Sequence, residues 1–198
     1  MFDNVLRKSF ADLSEPLADL LTKIKIKPNQ ITCLGFLLAL GAALLIALNY
    51  LILGLVVWVL SRLADGLDGV LARRSGRVTK FGGYLDIVSD MASYSVMIIG
   101  FSYALPACDF YWKVILLLYT LVITSVLALG GIINQKPPEE NRSLDLRPGL
   151  AEATETSIVY FLLCILPSCA SMICPIWIAI LFTTVIQRGI DAYRLLRD

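Results

Sequence analysis

Apolar residues in this chain gather into runs of about twenty, each closed by a proline, a turn signal or a cluster of charge. That is the length a helix needs to cross a bilayer core of roughly 30 Å. The pattern predicts six spans, at roughly 30–48, 51–73, 83–105, 112–133, 152–171 and 175–195. The first follows Pro28 and a capping Asn29, and the sixth opens near Pro175. Ahead of them Phe2, Leu6, Leu13, Leu17, Leu20, Leu21 and Ile24 recur at helical spacing with charges between them. This predicts an amphipathic helix over 1–27 lying in the membrane interface, with a partner-binding helix as the other reading. The expected fold is therefore an all-α integral membrane protein: one domain over 1–198, an interfacial helix over 1–27 and a six-helix bundle over 28–198.

Composition agrees with that reading. Of 198 residues 58% are hydrophobic and 17% charged, more apolar surface than a soluble domain of this length can bury. The net charge of +1 says little about nucleic acid, because the cations are strongly segregated along the chain, and no nucleic-acid partner is expected. Arg7, Lys8, Lys23, Lys25 and Lys27 precede the first span; Arg62, Arg73, Arg74, Arg77 and Lys80 surround the second connection. Lys136, Arg142 and Arg147 lie in the fourth connection, Arg188, Arg194 and Arg197 at the C-terminal end, and Lys113 alone on the opposite side. By the positive-inside rule both termini are cytoplasmic. Gly35, Ala39 and Ala43 form a small-residue stripe of the kind that lets helices approach closely in lipid. The five cysteines have no metal-ligand spacing and read as packing residues. With no histidine in the chain, the usual zinc sites and the commonest general base are excluded.

The chemistry is carried by acids where a membrane helix runs. "LADGLDGVLARR" places Asp65 and Asp68 in the second span, and "FGGYLDIVSDMASY" places Asp86 and Asp90 in the third. A carboxylate in hydrocarbon costs roughly 2.5–3.5 kcal/mol on insertion scales, so such residues need positive partners. At 100° per residue Asp68 falls about 60° to one side of Asp65 and Gly69 about 40° to the other, with Ala72 and Arg73 following. Gly82, Asp86 and Asp90 share one face of the next helix. Four carboxylates are thus expected to converge just inside the cytoplasmic surface. Such a cluster repels itself unless divalent cations are present, and all-oxygen ligands favour Mg²⁺ or Mn²⁺. Two ions about 3.5–4 Å apart would form a two-metal clamp for attack at phosphorus. Arg73 suits phosphate, and Gly69 with Ala72 would let an anionic ligand approach the helix. A structural network with Arg62, Arg73, Arg74 and Lys80, or an ion path, is the competing reading.

The full spacing, Asp65-x-x-Asp68-Gly69-x-x-Ala72-Arg73, eight residues to Gly82, then Asp86 and Asp90, resembles the signature of the CDP-alcohol phosphatidyltransferases. Every fixed position of that pattern is met. "KPNQIT" before the first span looks like the family's Pro-Asn-x-x-Thr segment, and six helices are its usual number. The resemblance implies that Asp65, Asp68, Asp86 and Asp90 hold two metal ions, Mg²⁺ or Mn²⁺. It implies that Asp90 takes the proton of an acceptor alcohol, which attacks the phosphorus attached to diacylglycerol in CDP-diacylglycerol and releases CMP. Asn29, Gly69, Arg73 and Thr79 would contact the nucleotide or diphosphate. It further implies phospholipid synthesis in a bacterial inner membrane, an active site facing the cytoplasm, and a homodimer.

The acceptor is read from charge. Arg142, Arg147 and Arg188 offer cations for a phosphorylated polyol, whereas Glu152 and Glu155, at the start of the fifth span, favour an amino-alcohol unless they merely serve the helix dipole. The stretch "PGLAEATETSIVYF" resembles the Gly-Leu-x-Glu-Gly-x-Glu-Thr segment of a bacterial branch of the family, with Ala153 in place of glycine. Glycerol phosphate, inositol phosphate, serine and amino-alcohols all stay open. So do two other classes, a membrane prenyltransferase acting on a prenyl diphosphate and a transporter-like bundle without turnover.

Overall fold

Short connections set the geometry of the first three helices, which carry all four acids. The computed structural model describes residue 16 and residues 19–23, 25–133, 151 and 153–197. Helix α1 (Pro28–Ala47) starts with Pro28 in the first turn, where its missing N–H costs nothing, and the Gln30 side chain accepts from the Lys27 N–H at 2.9 Å. It ends in a Schellman turn: Asn49 takes φ 66°, its N–H reaching the Ile46 carbonyl at 2.8 Å, and the Tyr50 N–H reaches that of Leu45 at 2.9 Å. Asparagine tolerates this left-handed conformation better than most residues. Helix α2 (Leu51–Arg74) follows at once and ends the same way, with Gly76 at φ 63° and Arg77 N–H bonding the Ala72 carbonyl at 2.9 Å. Helix α3 (Lys80–Ala104) is capped by Thr79, whose Oγ1 accepts from the Gly82 N–H at 2.9 Å. It stops before Pro106, which disfavours helical geometry at Leu105.

The remaining elements are a 3₁₀ turn (Pro106–Cys108), α4 (Asp109–Ile133), α5 (Ala153–Ile165), a second 3₁₀ turn (Pro167–Cys169) and α6 (Ala170–Leu196). No strand occurs among the described residues. Four helical stretches there are long and apolar enough to cross a membrane: Pro28–Ala47, Lys80–Ala104, Pro106–Ile132 and Pro167–Leu196. Helix α2 has the length but carries Arg62, Asp65, Asp68, Arg73 and Arg74, and α5 is 13 residues long. The expected limits of the last two spans are corrected. The fifth helix ends at Ile165 rather than near 171, because Pro167 forces Leu166 out of helical geometry (φ −125°, ψ 58°). The sixth begins at Ala170, so Pro175 lies inside it instead of opening it. The 3₁₀ turn has already started that helix, which continues through Pro175 without the hydrogen bond that residue's N–H would have made to the Ser171 carbonyl. Of the expected interfacial helix, residues 19–23 are helical, and Asp19 meets Arg74 at 2.7 Å at the end of α2.

Packing follows the small-residue stripe. A methyl group on Gly35 would stand 3.5 Å from Ala64 Cβ, one on Gly54 would press within 3.0 Å of the Ala42 carbonyl oxygen, and one on Gly100 would come to 2.5 Å of the Ala43 carbonyl oxygen. Helices α1, α2 and α3 therefore touch backbone to backbone, with Ala39, Ala42 and Ala43 buried between them. The other half is joined by polar aromatics. Tyr160 of α5 donates to the Tyr94 carbonyl of α3 at 2.8 Å and meets the Tyr119 hydroxyl of α4 at 3.2 Å. Trp177 of α6 donates to Tyr119 at 3.1 Å. Leu37, Leu44, Ile52, Leu117, Met172 and Ile176 stay exposed on the outside, as lipid-facing residues should.

Candidate active site

The tight turn after α2 returns the chain as α3 alongside it, so the two acid-bearing faces lie in one neighbourhood. Asp68 is buried, 6% exposed, and accepts a hydrogen bond from the Thr32 hydroxyl of α1. Its charge acts on those of Asp86 and Asp90, and that of Asp65 on Asp90 and Asp68. Between Asp65 and Asp90 stands a guanidinium: Arg62 Nη1 lies 2.5 Å from Asp90 Oδ1 and 3.7 Å from Asp65 Oδ2. Arg62 also donates to Ser61 Oγ at 3.1 Å, and Ser61 in turn to the Gly35 carbonyl at 2.8 Å. Its Cζ sits 4.5 Å from the centre of the Trp58 ring and 5.1 Å from that of Tyr94. Cation–π contacts of this kind strengthen when water is excluded.

The faces of α2 and α3 that carry the expected four carboxylates adjoin, and Arg62 reaches an acid on each of them. Among the described residues no three acidic or cysteine side chains are gathered as a ready cage for an ion. Like charges at this separation repel, and in the structure Asp65 and Asp90 turn to Arg62 while Asp68 turns to Thr32. The donor set nevertheless fits a hard divalent cation. It consists of carboxylates from two adjacent helices with no nitrogen or sulfur ligand among them, and the buried Asp68 has a neutral hydroxyl rather than a cation for its partner.

Beside the acids α2 carries only the small residues Gly69 and Ala72. A methyl on Gly69 would stand 3.3 Å from Arg73 Nη1, so the Arg73 guanidinium folds back over Gly69. At the start of α3 a methyl on Gly82 would meet Thr79 Oγ1 at 3.0 Å and Asn29 Oδ1 at 3.4 Å. Asn29, Thr79 and Gly82 therefore meet where α1 and α3 begin, although Thr79 is also the cap of α3. Of the residues assigned to the acceptor, Arg142, Arg147 and Glu152 lie outside the described residues. Glu155 occupies the first turn of α5, and Arg188 donates to the Val122 carbonyl of α4 at 2.8 Å.

Two site residues escaped their proper weight in the sequence. Thr32 is the threonine of "KPNQIT", a segment that resembles the family's Pro-Asn-x-x-Thr pattern but whose threonine the sequence ties to none of the acids. Arg62 was grouped with structural cations, although a cation three residues ahead of Asp65 in an apolar run was the available signal.

This arrangement of long apolar helices with acids and arginines on two adjoining faces is that of an integral membrane protein with a polar site set among its helices. The family model for CDP-alcohol phosphatidyltransferase matches residues 25–186, and the chain belongs to that family, whose members are transferases of phospholipid synthesis. It is 32% identical over 207 residues to the inner membrane protein YnjF of Escherichia coli (strain K12), covering all of this chain and 98% of that one. It is 32% identical over 160 residues to the phosphatidylinositol phosphate synthase of Corynebacterium glutamicum, covering 77% of this chain and 69% of that one. The fold is similar to that of Mycobacterium tuberculosis phosphatidylinositol phosphate synthase solved with CDP-DAG bound, with a TM-score of 0.70, 21% identity, and 92% and 94% of the two chains covered. The same enzyme has been solved with manganese and citrate, and that structure aligns with a TM-score of 0.69 at 22% identity over 90% and 88% of the chains.

Proposed function

We propose that this protein transfers the phosphatidyl group of CDP-diacylglycerol to the hydroxyl of a small polar alcohol and releases CMP. The observation that carries the reading is the juxtaposition of Asp65 and Asp68 on α2 with Asp86 and Asp90 on α3, beside Arg73 folded over Gly69. Asp65, Asp68, Asp86 and Asp90 would hold Mg²⁺ or Mn²⁺, and the manganese in the mycobacterial structure supports that choice. Bound there, such ions supply Lewis-acid stabilisation of charge on the diphosphate. The chain's own residues do the rest. Gly69 lets the donor approach the α2 backbone, and Arg73 pairs with its phosphate oxygens. Asn29 and Thr79 line the nucleotide side. Asp90 accepts the proton of the acceptor hydroxyl, whose oxygen attacks the phosphorus bearing diacylglycerol; the bond to CMP breaks and CMP carries the electrons away. The prenyltransferase and transporter readings lose support, because neither accounts for residues 25–186 matching this family.

The test is direct. Purified protein with Mn²⁺, CDP-diacylglycerol and a panel of alcohols should release CMP only when an acceptor is present. Release independent of every alcohol, or none at all, would defeat the reading.

The acceptor we infer is a phosphorylated polyol. The C. glutamicum relative is named for phosphatidylinositol phosphate, and Arg142, Arg147 and Arg188 supply cations, whereas Glu155 is explained by its place in the first turn of α5. Glu152, adjacent to that turn in sequence, is read the same way. Arg188→Ala should raise the acceptor KM roughly tenfold, the loss of about one charge-assisted hydrogen bond, with CDP-diacylglycerol binding unchanged. Because Arg188 also ties α6 to α4, a melting curve must accompany the kinetics. An unchanged KM in a stable variant would remove Arg188 from the acceptor site.

The topology we propose has six spans, both termini cytoplasmic and the acids at the cytoplasmic face, within a bacterial inner membrane and as a homodimer. The segregated cations support the orientation, and the E. coli relative is an inner membrane protein. A reporter fused after Asp198 should read as cytoplasmic, and a cysteine introduced at Ala107 should react with an impermeant reagent from outside. Outside labelling near Val78 would reverse the orientation.

A further inference from the structure

Arg62 has no part in the transfer as derived, yet it is the cation most closely engaged with the site. Its side chain is 16% exposed, its Nη1 is 2.5 Å from Asp90 and 3.7 Å from Asp65, and its Nε is buried with no acceptor. A guanidinium serving stability alone would be expected to use its donors fully, since a buried unmet N–H is costly. This one leaves a donor unmet while lying against two carboxylates that have a second use. Its stem and plane are held independently of those carboxylates, by the rings of Trp58 and Tyr94 and by Ser61. The carboxylates can therefore leave it without Arg62 losing every partner.

We propose that Arg62 is a tethered counter-ion, a positioning residue that stands in for the divalent cation at Asp65 and Asp90 and thereby sets the affinity with which that cation binds. This rests on the reading of the four aspartates as metal ligands. Without a cation the cluster would repel itself and α2 and α3 would be pushed apart; Arg62 holds Asp65 and Asp90 in place until the ion arrives. The cost is competition. A fixed positive charge beside the site opposes a dication, and Asp90 must give up a short ion pair to become a ligand.

The experiment is a Mn²⁺ titration of the full-length protein in detergent without nucleotide, followed by electron paramagnetic resonance of the free ion, together with melting curves in EDTA and in Mn²⁺. Arg62→Met keeps the stem against Trp58 and Tyr94 and removes the charge. Its Kd for Mn²⁺ should be at least tenfold tighter than that of the natural protein, while its melting temperature in EDTA falls and recovers in Mn²⁺. Arg62→Lys keeps the charge but lacks the fork that reaches two carboxylates, and should bind Mn²⁺ a few-fold more tightly than the natural protein. If Arg62→Met does not fold in either condition, the lysine variant decides. Equal or weaker Mn²⁺ binding in a folded variant would overturn the role of Arg62 and leave the proposed transfer intact. Absence of Mn²⁺ binding in both the natural protein and the variants would overturn the metal reading and this inference together.

Discussion

Replacing Asp90 by asparagine should lower kcat by about a thousandfold while CDP-diacylglycerol still binds within a few-fold of the natural protein. A positioned general base contributes roughly 10²–10⁴-fold, and an amide cannot take the acceptor proton. Asparagine keeps the size of the side chain and one oxygen, so Asp65, Asp68 and Asp86 are left to hold the ion and Arg73 to hold the diphosphate. Arg62 loses its 2.5 Å ion pair but retains Asp65, Ser61 and the faces of Trp58 and Tyr94, so the helices should stay together. Turnover at saturating acceptor, measured beside equilibrium binding of labelled donor, separates the two effects. Near-normal kcat would remove Asp90 as the base; loss of donor binding with loss of turnover would make it chiefly a ligand.

The second large effect is on the scaffold. Gly100→Leu should cost about 3 kcal/mol or more, because even a Cβ at that position would lie 2.5 Å from the Ala43 carbonyl oxygen, and helix backbone cannot move aside as a side chain can. The added bulk drives α3 from α1 at the level of Met97, Ile98 and Phe101, all buried between the helices and their neighbours. Since α3 carries Asp86 and Asp90, activity falls with stability. A drop in melting temperature of roughly 10 °C is expected for a chain of this length. Gly130→Ala is the control, since a Cβ there meets nothing within 4 Å and the change should leave stability as it is or raise it by up to about 1 kcal/mol. A Gly100→Leu protein that melts with the natural one would show that the α1–α3 contact is looser than its geometry.

Much of this was legible in the residues, for identifiable reasons. Helix positions followed from the lengths of the apolar runs, and the structure supplies the local reasons for their ends, positive φ at Asn49 and Gly76 and the proline at 106. The faces of α2 and α3 followed from helical period, and their adjacency from the short connection between them. The boundary between α5 and α6 did not, because Pro167 and Pro175 give similar signals and only packing decides which of them breaks the helix. Side-chain pairing was also out of reach. Whether Asp90 faces an ion or Arg62, and whether Asp68 meets Thr32, depends on how three helices cross, which spacing within one helix does not encode. Arg74 shows the same limit: the sequence groups it with cations that could pair with the four acids, and it meets Asp19.

In the proposed transfer an alcohol oxygen, and not water, attacks the phosphorus of CDP-diacylglycerol. The most direct measurement is mass spectrometry of the lipid product formed in ¹⁸O-labelled water, with Mn²⁺ and a phosphorylated polyol as acceptor. The expected products are CMP and a phosphatidyl-polyol phosphate whose new phosphodiester contains no solvent label. Phosphatidate bearing one solvent ¹⁸O as the sole lipid product would make the protein a hydrolase and contradict the proposed transfer.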